Sequence, residues 1–302
     1  MDWESIVRRI KRGTCTPFLG AGASGDAIPL GSQIAQGWAD EYGYPFADRW
    51  DLAQVAQFLA VVKNDSVWPK EEIQELFGGY APPDPSQSDH PYSILAQLPL
   101  PIYLTTNYDD FLARALRANG KDPVEEFCRW TSRPSFAHRP EVFDEPTFMP
   151  TAQSPLVYHL HGRIDLAESL VLTEDDYVDF LVNMARAEIV PPLISATLAE
   201  NMLLFIGYRL ADWSFRVLYR GLMKTIDASG QRLNLTVQIA PQDVPGAFAA
   251  EGTGEAEVAA KRAAARRYLE SYFQKMRVEV YWGTAQAFLA ELSERWAAAG
   301  GS

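Results

Sequence analysis

Apolar positions along the chain alternate between two periods. Residues 2–12 place Trp3, Ile6, Val7 and Ile10 on one helical stripe. Cys15–Leu19 is a short apolar run of the length of a buried strand. Ile102–Leu104, Leu156–Leu160, Met202–Ile206, Asn234–Ile239 and Val278–Tyr281 repeat that form. Helical spacing predicts helices over Ile34–Tyr42, 50–63, 69–78, Pro91–Leu98 and Asp109–Arg117. Further helices are expected from Asp212, over 256–272 and over 284–298. Thr173 opens another, and Asp176 three residues later completes a capping box. Pro82, Pro83 and Pro85 mark a loop, and 130–155 reads as an irregular surface excursion.

Apolar strands separated by helices predict an α/β fold, a Rossmann-like, mostly parallel sheet flanked by helices. The helices of about residues 45–100 arrive before a second strand does, so they form an inserted helical module. Residues 1–298 are expected to make one domain. Residues 299–302 are expected to be a flexible tail, the start of a linker or a cloning scar.

Composition narrows the function classes. With 27 Lys and Arg against 39 Asp and Glu, the net charge is −12, which disfavours direct nucleic-acid or anionic-membrane binding. The two cysteines, Cys15 and Cys128, are too few for a four-thiolate zinc site or a disulfide framework, so no zinc is expected and a reducing, cytoplasmic setting is. The amphipathic, charged N-terminus is not a signal peptide, and no apolar run approaches membrane-spanning length.

Ligands of a parallel α/β sheet sit beyond the carboxyl ends of its strands. Four such ends carry unusual residues. Gly20, Gly22 and Gly25 fit G-x-G-x-x-G after the first strand, where backbone N–H groups can hold a pyrophosphate. Thr105-Thr106-Asn107-Tyr108-Asp109 follows the second. His159-Leu160-His161-Gly162 ends another, and Gly207-Tyr208-Arg209 with Asp212 ends a fourth. Each has a plain structural reading. The glycines can be an ordinary turn, and Asn107 or Asp109 can cap a helix. Gly207 can merely end a strand. His159 and His161, two apart, face the same side of a strand; such a pair could be part of a metal site, though no third ligand is evident, and a single buried histidine is usually a hydrogen-bonded core residue. Their joint occurrence at four strand ends predicts one shared pocket.

These segments resemble the sirtuin-like superfamily. Gly20-Ala21-Gly22-Ala23-Ser24 is similar to its Gly-Ala-Gly-Ile-Ser loop, and Ile28-Pro29 to the Ile-Pro that follows. Thr106-Asn107-Tyr108-Asp109 resembles its Gln-Asn-Ile-Asp motif, and His161-Gly162 its His-Gly. The deacylases of that superfamily carry a four-cysteine zinc module and an Asp-Phe-Arg after Ile-Pro. This chain has neither, with Leu30-Gly31-Ser32 in place of the second. The Thr105–Asp109, Leu160–Gly162 and Gly207–Asp212 segments instead resemble the bacterial sirtuin-like branch of anti-phage defence.

That resemblance implies an NAD glycohydrolase releasing ADP-ribose and nicotinamide, with NAD depletion as an abortive-infection response. It implies His161, Asn107 and Asp109 as catalytic residues. Gly20, Ala21, Gly22, Ala23, Ser24, Pro29, Thr106, Asn107, Asp109, Gly207 and Tyr208 would contact NAD, and His159 would be structural. Partners would be a second copy of the chain or a sensor, Argonaute-like, helicase-like or fused. Nicotinamide in NAD leaves without acid catalysis, so the site must position the sugar, stabilise a cationic centre and activate water. Three alternatives remain: a deacylase or ADP-ribosyltransferase using the same NAD, a non-catalytic NAD or ADP-ribose sensor, and a Rossmann dehydrogenase. The last expects an acid about 20 residues past the glycines at a strand end, whereas Asp40 and Glu41 fall in a helix.

Overall fold

The chain is described from a computed structural model, which covers residues 1–25, 27–131, 139–185, 189–208, 219, 234–238 and 255–301. Helix α1 (Trp3–Lys11) starts where the Asp2 carboxylate accepts the Ser5 N–H, and it buries Ile6, Val7 and Ile10. Strand β1 (Cys15–Leu19) follows, then a single 3₁₀ turn over Ala21–Ser24. Four helices come next: α2 (Gly31–Glu41), α3 (Leu52–Lys63), α4 (Trp68–Gly78) and α5 (Pro91–Gln97). Then come β2 (Ile102–Thr105), α6 (Phe111–Ala118), β3 (Val124–Phe127) and β4 (Leu156–His159). Helices α7 (Glu174–Ala185) and α8 (Pro192–Glu200) lead to β5 (Met202–Ile206). The remaining described elements are β6 (Asn234–Gln238), α9 (Glu255–Lys275), β7 (Val278–Trp282) and α10 (Ala285–Ala298).

The strands form one sheet in the order β3-β4-β2-β1-β5-β6-β7, and every described pairing is parallel. This is the Rossmann-like α/β class. Helices cover both faces, so the inner strands are apolar throughout rather than alternating. One core packs Cys15, Leu19, Tyr103, Val157, Leu204 and Ile206 against α1, α5, α6 and α10. The opposite core packs Phe18, Leu104, Tyr158, Leu203 and Phe205 against α7, α8 and α9. Pro17 lies in the central strand, where a missing N–H costs a ladder bond. The register with β5 runs the full length of β1, whereas pairing with β2 begins at Phe18, one residue past the proline.

The helices of residues 45–100 divide in two. α3 and α4 join α2 in a satellite core with Leu170 and Leu172 just ahead of α7, while α5 lies on the sheet itself. The fully buried Lys70 of α4 bonds the Asp176 carboxylate of α7 at 2.7 Å. The other Asp176 oxygen accepts the Leu172 and Thr173 N–H groups, and Thr173 Oγ1 accepts the Asp176 N–H, so the expected capping box forms.

Two elements depart from the sequence reading, which named neither. β3 reads Val-Glu-Glu-Phe, and its acidic pair hides the strand; such charge is common on an edge. α8 follows a proline pair, Pro191-Pro192, with weak periodicity. The described part of the excursion, 130–131 and 139–155, is irregular apart from a turn at Val142–Asp144. Asp40 and Glu41 lie inside α2, with no second strand before them among the described residues, and Asp40 pairs with Arg49. That removes the dehydrogenase reading. Arg209, Asp212 and the helix expected from Asp212 lie outside the described residues, as does Ile239.

Candidate active site

The four strand ends singled out from the sequence belong to β4, β2, β1 and β5, which are consecutive in the sheet. Their loops are stitched together pairwise. Gly20 N–H donates to Ile206 O at 2.9 Å and Gly22 N–H to Gly207 O at 3.0 Å, joining the loops after β1 and β5. Thr106 N–H donates to Leu19 O at 2.9 Å, joining β2 to β1. Leu160 N–H to Thr105 O and Ile164 N–H to Tyr108 O, both 2.8 Å, join β4 to β2.

The glycines of this edge are required by the protein itself. Gly207 sits at φ +82°, and a Cβ there would lie 2.3 Å from Ala23 N. A Cβ on Gly20 would lie 2.9 Å from the Tyr208 ring, and one on Gly22 would lie 3.1 Å from Gly207 Cα. At Gly207 and Gly22 backbone meets backbone, and at Gly20 the Tyr208 ring closes in, so a side chain at any of the three would force its neighbours to shift. The loop amides therefore differ from a bare phosphate cradle. Gly22 N–H is taken by Gly207 O, and Ala23 N–H by Gly20 O at 2.8 Å. Ala21 is exposed at the tip of the turn, Ala23 is buried and Pro29 is half-buried. Thr106 Oγ1 and Tyr208 OH are 2.7 Å apart, and Tyr208 OH also donates to Leu19 O at 2.9 Å.

Asn107 is buried and wired from both ends. Its Nδ2 lies 3.0 Å from Tyr92 OH, 3.2 Å from Gly20 O and 3.3 Å from Ser24 Oγ. Its N–H donates to Thr105 Oγ1 at 2.9 Å, and its carbonyl faces His159 Nδ1 at 3.0 Å. Ser24 Oγ lies 2.9 Å from Tyr92 OH, so this serine hydroxyl braces the interior rather than standing open to a ligand. Asp109 Oδ1 accepts the Phe111 N–H at 3.1 Å, anchoring the start of α6. Burial pushes its carboxyl up to about 6.

The two histidines part company. β4 ends at His159, so the alternation of the strand does not carry on to His161. His159 donates from Nδ1 to the Asn107 carbonyl, which fixes the tautomer, and its Nε2 stands 3.9 Å from Glu125 Oε2 of β3. Burial holds its pKa below the ordinary value. His161 instead meets the rings of Tyr177 and Phe180 edge-on, at 5.3 and 5.1 Å between centroids. Its burial pushes the imidazole down to about 3, well away from the near-neutral value of a free histidine. Gly162 beyond it takes φ +86°, and a Cβ there would fall 2.2 Å from Ser169 O. Among the described residues no group of three or more His, Cys, Asp or Glu side chains is placed to hold a metal ion.

Sequence reasoning missed Tyr92, His90 and Glu125. Pro91 announces the start of α5, but nothing local says that this helix end meets the glycine turn. His90 caps the helix, its Nδ1 accepting the Tyr92 N–H at 3.2 Å.

Comparison with known proteins shows what the chain is similar to. A protein of Acinetobacter baumannii named NAD(+) hydrolase ThsA is 24% identical over 210 residues, 69% of this chain and 39% of that protein. A namesake from Cytobacillus dafuensis is 29% identical over 69% of this chain and 38% of its own length. One from Enterococcus faecium is 24% identical over 70% and 41%. The chain thus spans about two fifths of the length of these curated relatives. A solved structure described as "Structural Basis for the Mechanism and Regulation of Sir2 Enzymes" aligns over 100% of this chain and 99% of that one, with TM-score 0.42 and 12% identity. Residues 101–277, more than half of the chain, match the family described as SIR2-like domain, and the chain belongs to that family.

Proposed function

We propose that this chain hydrolyses NAD, taking up water to give ADP-ribose, nicotinamide and a proton. The observation that carries the reading is the pairing of two neighbouring loops. One holds a fixed asparagine amide and the other a neutral imidazole, and they are bonded to each other three times, counting His159 to the Asn107 carbonyl. The name of the relatives, NAD(+) hydrolase, supports the same substrate.

The roles follow from the chemistry of each group. The glycosidic C–N bond breaks with its electron pair going to nicotinamide, leaving positive charge on the ribose. Asn107 positions a ribose hydroxyl or the attacking water. His161, neutral at physiological pH, accepts the proton of that water. An imidazole of low basicity suffices, because water bonding to a cationic carbon becomes strongly acidic. Asp109 shapes the loop by anchoring α6, and the Gly20–Ser24 turn with Pro29, Thr106, Gly207 and Tyr208 borders the dinucleotide.

The resemblance extends this to an anti-phage effector that depletes NAD, resident in the cytoplasm and controlled by self-assembly or a sensor partner. The test is direct. Purified chain is incubated with NAD, with and without an acylated peptide, and nicotinamide release is followed by chromatography. Release of free ADP-ribose without peptide is the expected result. Release only with peptide would replace hydrolysis by group transfer, and tight binding without turnover would make the protein a sensor.

A further inference from the structure

We propose that Tyr92 is a positioning residue for this hydrolysis: its hydroxyl fixes the Asn107 amide so that Oδ1 faces the reacting water or ribose hydroxyl. The inference rests on the hydrolase reading and adds a residue that the motifs do not contain.

The orientation of the amide is settled by Gly20 O. A carbonyl oxygen has no hydrogen to give, so the atom 3.2 Å from it must be the Asn107 nitrogen. That nitrogen has two hydrogens, and three oxygens surround it, Tyr92 OH being nearest at 3.0 Å. None of these bonds uses Oδ1. The free end of the amide is therefore an acceptor, suited to an O–H group and not to a carbonyl or phosphate oxygen.

Tyr92 is built to hold that orientation. It is 2% exposed and lies in the main core beside Ile28 and Leu95. Pro91 presets the first turn of α5, and His90 accepts the Tyr92 N–H, so the ring arrives on a rigid helix end. Its hydroxyl also bonds Ser24 Oγ at 2.9 Å, tying the amide to the glycine turn. His159 holds the Asn107 carbonyl from the other side, so both the peptide and the side chain of Asn107 are fixed. A group held this way needs no reorganisation when the water reacts, which is where such preorganisation raises the rate.

Tyr92→Phe keeps the ring and removes only the hydroxyl. In the full chain it is expected to lower kcat roughly tenfold while KM stays within about twofold, because the amide is misaligned rather than the binding surface lost. An unchanged kcat, or a rise in KM with kcat held, would overturn the proposal. A second measurement does not depend on turnover. The Asn107 side-chain amide signals in a ¹⁵N spectrum, assigned by their loss in Asn107→Asp, are expected to move toward free-amide positions in Tyr92→Phe. Unmoved signals would also overturn it. If the wild-type chain releases no nicotinamide at all, the hydrolase reading fails, and the amide signals alone report whether Tyr92 holds Asn107.

Discussion

The two walls of the candidate site are built on opposite plans. On the β1–β2–β5 side the side chains hold one another: Asn107 through its Nδ2, Ser24, Tyr92, Thr106 and Tyr208 are bonded to one another or to backbone carbonyls, and Asn107 Oδ1 is left as an acceptor. On the β4 side, His161 sits against two aromatic rings from α7. The first wall fixes geometry through directional bonds, and the second sets a protonation state through burial. The proposed hydrolysis, which must orient a sugar and then capture a proton, would need both, and the two walls stand on neighbouring strands.

Substituting one wall at a time separates these plans. The largest effect is expected from His161→Ala, which should lower kcat by roughly 10²–10⁴-fold. Affinity for ADP-ribose, read by calorimetry, should hold, because none of the bonds of the wired wall passes through this ring. Asn107→Ala should lose comparable activity and also about 1–3 kcal/mol of stability, since it deprives Gly20 O and two buried hydroxyls of their donor. Equal losses of stability in the two variants would erase the distinction between the walls.

Protons sharpen it next. His161, pushed down to about 3 from an ordinary 6.5, stabilises the fold fully above 6.5, and that contribution is lost as pH falls toward 3. Asp109, pushed up to about 6 from 3.8, has the opposite sign. Across that window the folded chain keeps a proton that the unfolded chain has released. Stability therefore falls as pH rises through it and stays reduced above. Asp109→Asn retains the acceptor for Phe111 N–H and removes the penalty. It should stabilise the protein by up to roughly 2–3 kcal/mol at about pH 8 and make the acid-side loss steeper, as thermal melts across pH would show. The smallest effect belongs to Tyr208→Phe. Leu19 O keeps the Thr106 N–H, so the loss should be about 1 kcal/mol or less in melting experiments, with turnover within a few-fold.

Legibility followed the range of the forces involved. β1, β2, β4 and β5 announce themselves because strands buried on both faces must be apolar, and the polar residues just past them stand out by contrast. β3 was hidden because an edge strand can afford two glutamates, one of them, Glu125, facing His159. The glycine turn was visible, but its purpose was only half legible: Gly20, Gly22 and Gly207 serve contact between the loops as much as any ligand. The depressed basicity of His161 depends on Tyr177 and Phe180, sixteen and nineteen residues downstream, and on burial that no local pattern encodes. Tyr92 was unreadable for the same reason, since its partners Ser24 and Asn107 are distant in sequence.

The buried Lys70–Asp176 bond bears on any attempt to shorten the chain. The helices before β2 look dispensable on a topology diagram, because the sheet closes without them. Yet α4 sends Lys70 to neutralise an acid at the head of the helix that shields His161, and α5 sends Tyr92 to the asparagine. A minimal version cut down to the sheet would strand a buried carboxylate at one wall and free the amide at the other. For protein engineers the removable parts of this molecule therefore lie elsewhere: these helices are scaffolding that reaches the candidate site from two directions.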